Sequence, residues 1–316
     1  LKGGRDAEER HATLRATIAW SYDLLDGDEQ QLFARLAVFR GGCTLDAAEA
    51  VCDSDLDTLA SLLDKSLVRR RTDVNGHERF WMLETIREFA RERLAASGDE
   101  SGLRRLHMDW LIELADRAGT RATVGVPGTW QVDLVAPELD NVRAVLEWAL
   151  EHEPERGLEL AAALEGFWLV REPNEGAARL ELLLARIPDS EPELRAHALR
   201  ALGGALDRSG DSEAAAPFYR QSLELFIASG DEVQTANLRY RVAGNMVNRG
   251  ETAAAWPLLE ESLRTFRQLG LPRGEAQVLG YHSEKAHGDG DPALASELSL
   301  ESARIAHEAD WKWWEA

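Results

Sequence analysis

Apolar residues recur at helical spacing through most of the chain. Within the first 100 residues this spacing is interrupted once, by a region with the pattern of extended strands. Two extended segments flank Asn75-Gly76, a strong hairpin-turn signal. Thr44 is a suitable N-cap for the helix that follows it. The amphipathic segments that predict helices are HATLRATIAWSYDLL (11–25), DEQQLFARLAVF (28–39), TLDAAEAVC (44–52) and DLDTLASLLDKS (55–66). Several helices followed by a two-stranded wing predict a winged-helix domain in residues 1–100.

The stretch RFWMLETIREFARERL (79–94) contains the sharpest change of pattern. A run of large apolar residues ends at Leu83, and helical spacing begins at Glu84, with Ile86, Phe89 and Leu94 on one stripe. The pattern predicts a strand that is followed at once by a helix.

An internal repeat of 40 residues marks the C-terminal part of the chain. The residues that keep this spacing are Gly210, Gly250 and Gly290, each followed by an acidic residue, then Ala215, Ala255 and Ala295, and finally Ser222, Ser262 and Ser302. A fixed period in this range predicts a solenoid of stacked helix pairs in residues 191–316. In each unit we expect the glycine to end one helix and the acidic residue to cap the next.

The repeat resembles the tetratricopeptide repeat, although its period exceeds the usual ~34 residues. The matching positions are Leu202-Gly203, the turn residue Gly210, and the second-helix residues Ala215 and Tyr219. The predicted fold class is therefore mainly α: a winged-helix domain with a small two-stranded wing, followed by an α-solenoid of tetratricopeptide-like helix pairs.

Residues 101–190 are predicted to be a helical linker and the start of the solenoid. Segments 139–152, 155–170 and 175–187 have helical spacing, and the Gly- and Pro-rich segment 119–138 is predicted to be one long loop. The final DWKWWEA would begin another repeat that is cut short, so we expect the chain to be part of a longer protein.

Charge limits the kinds of partner. The chain has 36 basic and 56 acidic residues, a net charge of −20. Residues 1–100 hold 14 basic and 20 acidic residues (net −6), and the remainder holds 22 and 36 (net −14). Because an acidic body repels phosphate backbones, this balance disfavours direct DNA binding and confines any such contact to the first 100 residues.

No apolar run approaches the ~18 residues of a membrane span, and no export signal follows Leu1. Cys43 and Cys52 are nine residues apart, which matches no common zinc or redox spacing. We therefore expect a cytoplasmic protein with two reduced thiols and no membrane contact.

The first 100 residues resemble a known family. The segments TLRATIAWSYDLL, EQQLFARLAVFRGGCTLDAAEAVC, LASLLDKSLVRR and RFWMLETIREFARERL look like the winged-helix segment that follows an NB-ARC-type ATPase core. That core belongs to bacterial signal-transduction ATPases of the STAND class, common in LuxR-type and AfsR-like transcriptional regulators. LDNVRAVLEWAL and the repeats resemble the helical sensor region of the same family.

The resemblance implies a nucleotide-sensing corner at the end of the wing. Family members often carry Met-His-Asp there, and the matching residues are Met82, Leu83 and Glu84. Leu83 has no donor for a phosphate, so the family's phosphate contact is missing from this sequence. The alternative is that residues 80–83 are simply the core of the wing.

Catalytic motifs are missing from the sequence. None of its four lysines follows a glycine, so a P-loop cannot occur, and there is no GxSxG. His282 and His287 are five residues apart and would not share a helix face as metal ligands do. We expect this polypeptide not to be an enzyme by itself and to hold no metal or cofactor. The resemblance implies that the intact protein binds ADP or ATP.

Arg69, Arg70 and Arg71 open the wing, where side chains of winged-helix domains often touch phosphates. The helix at the recognition position has Asp55, Asp57 and Asp64 but only one lysine. Recognition helices usually present Arg, Lys, Asn or Gln. The arginines are therefore a possible DNA contact, with an interdomain or solvated edge as the preferred interpretation.

The first helix of each repeat should line the concave wall of the solenoid with polar side chains. These predicted groove residues are His197, Arg200, Asp207, Arg208, Asn237, Tyr240, Asn248, Gln277, Glu284 and His287. Their mixed composition is typical of a peptide or small-ligand groove, although the same residues could merely face water.

The favoured hypothesis is the sensor portion of a STAND-type regulator. A protein or small-molecule signal would bind the solenoid, and the winged helix would relay it to an upstream NB-ARC-type ATPase domain of the same chain. Two alternatives stay open: a stand-alone winged-helix DNA-binding factor, and a tetratricopeptide adaptor that binds proteins.

Overall fold

The structure is a computed structural model that describes residues 3–73, 75–121, 129–309 and 311, without the side chains of 3–12 and 129–131. The predicted continuation of the repeat in the tail thus lies almost wholly outside the described residues. The chain divides into two compact units, Leu1–Glu113 with Pro137–Glu147, and Leu114–Ala136 with Trp148–Ala316. Within the described residues, no helix is long and apolar enough to span a membrane.

The winged-helix region has helices before and after a two-stranded sheet, as the sequence predicts. Its elements are α1 (Gly3–Asp23), α2 (Gly27–Arg35), a 3-10 helix (Leu36–Val38), α3 (Leu45–Cys52), α4 (Leu56–Asp64), β1 (Arg69–Thr72), β2 (Glu78–Trp81) and α5 (Glu84–Ser97). The predicted helix 28–39 is shorter than expected because its last turn tightens into the 3-10 helix.

Three aromatic side chains hold the helices of this region together. Tyr22 of α1, Phe33 of α2 and Phe89 of α5 have ring centroids 5.5, 5.6 and 6.4 Å apart in pairs. These spacings lie in the range of favourable aromatic pairs, and Phe33 and Phe89 are buried. The apolar stripe of α5 thus supplies part of the core that the pattern predicted.

The wing is an antiparallel pair in which Arg69 faces Trp81 and Arg71 faces Arg79. Cys43 adds an isolated bridge to Phe80, with N–O distances of 2.8 and 2.7 Å. Gly42 precedes this bridge at a φ of +75°, and a Cβ there would lie 2.5 Å from the Phe80 carbonyl oxygen. Only glycine fits this close approach of two backbones.

In the described part of the remaining chain, the regular elements are all helices. Its elements are α6 (Glu100–Arg117), α7 (Thr129–Val135), a 3-10 helix (Ala136–Glu138), α8 (Leu139–His152), α9 (Pro154–Ala163), α10 (Glu165–Val170), α11 (Pro173–Arg186), α12 (Pro192–Arg208), α13 (Ser212–Ser229), α14 (Glu232–Asn248), α15 (Thr252–Leu269), α16 (Pro272–Gly288) and α17 (Pro292–Glu308). From α12 onwards, consecutive helices form the pairs that the repeat predicts.

Two predictions for residues 101–190 were wrong. Segment 119–138 is not one long loop, because α7 forms within it and buries Val132 and Val135; residues 122–128 lie outside the described part. The single helix predicted for 155–170 is two helices. The backbone leaves helical geometry at Leu164, and the Gly166 N–H donates to the Thr120 carbonyl at 2.8 Å. Both differences depend on contacts with distant residues, which local spacing does not contain.

One hydrogen bond recurs in every repeat. The buried hydroxyls of Ser222, Ser262 and Ser302 each donate to a backbone carbonyl 26 residues earlier, at 2.7, 2.9 and 2.8 Å. The accepting carbonyls belong to the first helix of the pair, so the bond ties its two helices together. A buried hydroxyl needs such a partner, which accounts for the repeating serine.

The turns between paired helices have the predicted glycines at positive φ: +90° at Gly210, +81° at Gly250 and +84° at Gly290. Asp211 and Asp291 cap the second helix through their carboxylates. Glu251 makes no cap bond and instead pairs with Arg249 at 2.6 Å. The shorter aspartate reaches the cap position, so the predicted acidic cap forms in two of three turns.

Candidate functional site

The wing contains a buried charge in an apolar setting. Arg79 lies on β2 next to Phe80, and its side chain is 2% exposed. It forms an ion pair with Glu138, which is also buried, and donates to the Gly42 carbonyl at 2.9 Å. Burial disfavours the charged form, but Glu138 outweighs this effect and raises the pKa of Arg79.

Asn141 completes this arrangement through both ends of its amide. Its nitrogen donates to the Gly42 carbonyl at 2.9 Å and to the Glu138 carboxylate at 2.5 Å. Its oxygen accepts from the backbone N–H groups of Arg40 and Gly41 at 2.8 and 3.2 Å. We call Arg79, Glu138, Asn141 and the 40–42 backbone the wing–α8 network.

The wing–α8 network fixes the beginning of α8. Glu138 immediately precedes this helix and Asn141 lies in its first turn. The residues of α8 belong to the first compact unit up to Glu147 and to the second from Trp148. The N-terminal end of α8 is therefore anchored by buried polar contacts within the first unit.

The predicted nucleotide-sensing corner lies at the junction of β2 and α5. Met82 is buried, Leu83 is half-buried, and Glu84 is exposed. Leu83 occupies the N-cap of α5 in extended conformation and provides no side-chain cap. The Arg87 guanidinium donates to Glu84 and lowers the pKa of that carboxyl. The position next to the helix N-terminus thus has a leucine where the family resemblance implies histidine.

The three wing arginines are exposed. Arg69 and Arg71 lie over the Trp81 ring at 5.8 and 5.9 Å, whereas Arg70 pairs with Glu78 at 3.2 Å. Arg71 also donates to the Gly41 carbonyl at 3.4 Å. The wing therefore presents cations on both faces.

The helix at the recognition position, α4, offers little positive charge. Lys65 at its C-terminal end forms an ion pair with the buried carboxylate of Glu29. Hydrogen bonds from Lys65 and Ser61 lower the pKa of Glu29 to about 2, so this carboxylate stays charged at neutral pH. Lys65, the one lysine that the sequence places at this helix, is therefore already paired with a carboxylate of the same domain.

A second buried charge group lies in the helical repeats. Glu165, the first residue of α10, is fully buried, and one of its oxygens accepts from Arg200 of α12 at 2.6 and 2.9 Å. Its other oxygen lies 3.0 Å from a guanidinium nitrogen of Arg241 on α14. Arg200 also donates to Gln234. We call Glu165, Arg200, Gln234 and Arg241 the Glu165 cluster.

Burial and charge act in opposite directions on the Glu165 cluster. Burial alone would raise the pKa of Glu165, but Arg200 and Arg241 outweigh it and hold that pKa below its usual range. Burial lowers the pKa of Arg200. Burial, followed by the Arg200 charge, lowers the pKa of the neighbouring His197 to about 4, so this imidazole is neutral at pH 7.

The predicted groove residues do not share one open surface. Arg200, Asn237 and Gln277 are buried, which corrects their expected place on an exposed wall. These residues lie at repeat positions that face neighbouring helices. The sequence pattern alone does not distinguish a side chain that lines a groove from one that packs against the next helix. The half-buried members are His197, Asp207 and Tyr240, and the exposed members are Arg208, Asn248, Glu284 and His287.

Asp207 connects two repeats through neutral donors. Its carboxylate accepts from Ser212 at 2.5 Å, from Asn245 at 3.2 Å and from Asn248 at 3.4 Å. Tyr240 packs edge-on against Tyr281, with ring centroids 5.7 Å apart. Across the described residues, no group of three or more His, Cys, Asp or Glu side chains could hold a metal ion.

Sequence analysis missed Glu138, Asn141, Glu165 and Arg241. The available signal was a lone charged residue inside an apolar run, as with Glu165 in LAAALEGFWLV (160–170). Such a residue is buried only if a partner compensates its charge. Its partners Arg200 and Arg241 both lie 35 or more residues further along the chain, so the signal predicts a partner without identifying it.

Comparison with known proteins supports the winged-helix assignment. Residues 25–95 match the family model of the winged helix-turn-helix domain. A protein named "Putative HTH-type transcriptional regulator" from Mycobacterium tuberculosis is 41% identical over 180 residues, which cover 54% of this chain and 20% of the relative. An uncharacterized protein from the same species is 40% identical over 95 residues, 28% of this chain and 24% of the relative. The chain thus spans about a fifth to a quarter of the length of these relatives.

Two solved structures are similar to parts of the chain. One is a Signal Transduction ATPase with Numerous Domains protein with a tetratricopeptide repeat sensor from Pyrococcus horikoshii, with a TM-score of 0.41 and 15% identity, covering 90% of this chain and 51% of that one. The other is MamA, with a TM-score of 0.40 and 16% identity, covering 57% of this chain and 96% of that one.

Proposed function

We propose that this chain is the regulatory and sensor portion of a STAND-type ATPase transcriptional regulator. The helical repeats bind a protein or small-molecule signal, and the winged-helix domain relays it to a nucleotide-binding core that holds ADP or ATP elsewhere in the protein. The match of residues 25–95 to winged helix-turn-helix domains and the similarity to transcriptional regulators support this proposal.

The wing–α8 network is the observation that carries the proposed relay. It attaches the start of α8 to the wing through buried, charge-assisted hydrogen bonds, which resist deformation more than an exposed contact would. A displacement of α8 would therefore move the 40–42 backbone and β2, the strand that ends at the nucleotide-sensing corner. The relay requires two positions of α8, before and after this displacement. A signal shifts the equilibrium between them only if it binds one of the two more tightly than the other.

The test replaces Asn141 by Ala in the full-length protein and measures the dissociation rate of a fluorescent ADP. Loss of the amide removes contacts to Arg40, Gly41 and Gly42. We expect ADP to dissociate about tenfold faster, equivalent to ~1.4 kcal/mol.

Glu147→Gln is the matched control, because its ion pair with Arg40 is exposed on both sides and contributes little. We expect this variant to keep the parental rate. If Asn141→Ala folds and releases ADP at the parental rate, the proposed relay is wrong.

A further inference from the structure

An open cleft lies between two helix-to-helix turns of the second compact unit. Residues 152–156, where α8 ends and α9 begins, form one wall, and residues 187–190, between α11 and α12, form the other. The volume of the cleft is about 550 Å³, within the ~300–1,000 Å³ range of ligand pockets. None of the predicted groove residues lines it. We call this space the turn cleft.

The walls of the turn cleft include apolar and aromatic surface. Pro154, Ile187 and Pro188 supply the apolar part. The His152 ring is stacked on Trp148, with centroids 4.9 Å apart and planes 6° from parallel, and its Nδ1–H donates to the Trp148 carbonyl at 2.9 Å. These two contacts fix the imidazole. Trp148 itself does not line the cleft, so the side of the imidazole turned away from Trp148 is the side open to it.

The side-chain charge of the turn cleft is negative. Glu153, Glu155 and Asp189 line it, and Arg156 is the one cation among the described lining residues. That guanidinium already pairs with Glu159, which does not line the cleft. Glu155 and Asp189 are exposed and form no ion pair within the described residues. The helix ends do not reverse this sign, because α8 ends and α9 begins at the same turn and their dipoles offset each other.

A buried hydroxyl adjoins the turn cleft without a partner. Ser190 lines the cleft and is 8% exposed, and its Oγ has no hydrogen-bond partner in the part of the chain that the structure describes. Its backbone N–H, in contrast, donates to the Ile187 carbonyl at 3.2 Å. Buried hydroxyls are usually paired, and this oxygen can accept a hydrogen bond from a donor placed in the cleft.

We propose that the turn cleft binds the guanidinium group of an arginine side chain from a partner protein. The planar group stacks on the open side of His152, the carboxylates of Glu155 and Asp189 match its charge, and its N–H groups supply the donor that the Ser190 hydroxyl lacks. An ammonium has the charge but cannot stack, and an anion would meet three carboxylates. The inference rests on the proposed function only in identifying this partner with the signal.

The experiment titrates the full chain with N-acetyl-argininamide and follows the imidazole C–H signals by NMR. The His152 signal is identified by its absence from His152→Ala. Acetate serves as the anionic probe, and sodium chloride keeps the ionic strength constant. We expect saturable binding of the arginine probe that shifts the His152 signal. N-acetyl-citrullinamide, planar but uncharged, should bind about tenfold more weakly, and N-acetyl-lysinamide, charged but not planar, about threefold more weakly.

Variants locate the site. Asp189→Asn combined with Glu155→Gln should weaken binding of the arginine probe about tenfold, the combined effect of two exposed ion pairs. Both side chains are exposed, so the fold does not depend on them. Ser190→Ala removes only the hydroxyl and should weaken binding about fivefold. Glu151→Gln is the matched control, because Glu151 is an exposed carboxylate next to His152 that does not line the cleft. We expect it to keep the parental affinity.

The inference is wrong if the arginine probe binds no more tightly than the lysine probe, because the net charge of −20 would then explain the attraction. It is also wrong if the His152 signal responds to acetate and not to the arginine probe, or if the double variant binds like the parent. Arginine binding in the turn cleft with unaltered ADP release in Asn141→Ala would retain this site and reject the relay. Faster ADP release without arginine binding would do the reverse.

Discussion

At the scale of single residues, buried polar side chains affect the stability of this protein more than exposed ones do. Glu165 lies within an apolar stretch and Arg79 directly precedes one, and each is held by an oppositely charged partner. Removing one partner of such a pair usually costs more than the pair contributes, because the remaining charge stays buried. Each pair therefore matters for stability mainly because it prevents an unpaired buried charge, and not because the pair itself adds a large net attraction.

His107 is the contrasting case of a buried polar residue without compensation. Its imidazole is fully buried on α6 against the edge of Phe39, with a centroid distance of 4.6 Å. Neither ring nitrogen has a hydrogen-bond partner in the part of the chain that the structure describes. Burial, with a smaller effect of Arg104, lowers its pKa to about 3. The folded protein therefore holds His107 neutral.

His107→Leu should make stability less dependent on pH. Below the ordinary histidine pKa of about 6.5 the unfolded chain takes up a proton that the folded chain does not, so parental stability falls with pH until about pH 3. From pH 7 to pH 5 this residue alone should remove about 2 kcal/mol of the free energy of unfolding. Urea unfolding at both pH values should show that this loss disappears in His107→Leu.

His77→Leu serves as its control, because His77 is exposed in the wing turn. We expect this variant to keep the parental pH dependence. Equal pH slopes for His107→Leu and the parent would contradict the buried, unpaired state of His107.

At the scale of secondary-structure elements, the turn between paired helices sets the repeat. Gly210 and Gly250 have φ values of +90° and +81°, and a Cβ at either position would meet nothing within 4 Å. A side chain at either position would therefore not clash with any distant part of the protein. The requirement comes from the local backbone, since L-residues with a branched Cβ rarely adopt positive φ.

Gly210→Val and Gly250→Val should each lower the free energy of unfolding by roughly 1–3 kcal/mol through backbone strain alone. Chemical denaturation of each variant measures the change. Gly288→Val is a suitable comparison, because Gly288 ends α16 without positive φ and also has open space around it. If the three variants are equally stable, the strain at the turns is not what fixes the glycines.

At the scale of the whole molecule, the negative charge opposes nucleic-acid binding. The wing arginines are exposed, but Lys65 of the recognition-position helix pairs with Glu29. A protein that neutralises few phosphates releases few counterions and therefore gains little binding free energy from the DNA backbone.

We therefore expect the chain to show no sequence-specific binding to duplex DNA at ~150 mM salt. Fluorescence anisotropy with a panel of duplexes measures this, and Arg69→Ala combined with Arg71→Ala reports whether any residual attraction passes through the wing. Submicromolar, site-selective affinity that depends on these arginines would support the alternative of a DNA-binding factor.

The sequence by itself determined the classes and order of the elements. Helical spacing, the Asn75-Gly76 turn and the 40-residue repeat are local signals, because they arise from backbone geometry within a few residues. They predicted the wing, the strand-to-helix change at Glu84 and the glycine turns, and the structure confirms these elements. They did not locate α7 or the break at Leu164.

Only the tertiary structure decided which polar residues meet and which are buried. Arg200 and Asn237 match the expected groove positions in sequence, yet they lie in the interior. Glu165 meets Arg200 and Arg241 because α10, α12 and α14 bring these side chains together. Distances between packed helices depend on the side chains of all the elements involved, and no local pattern encodes them.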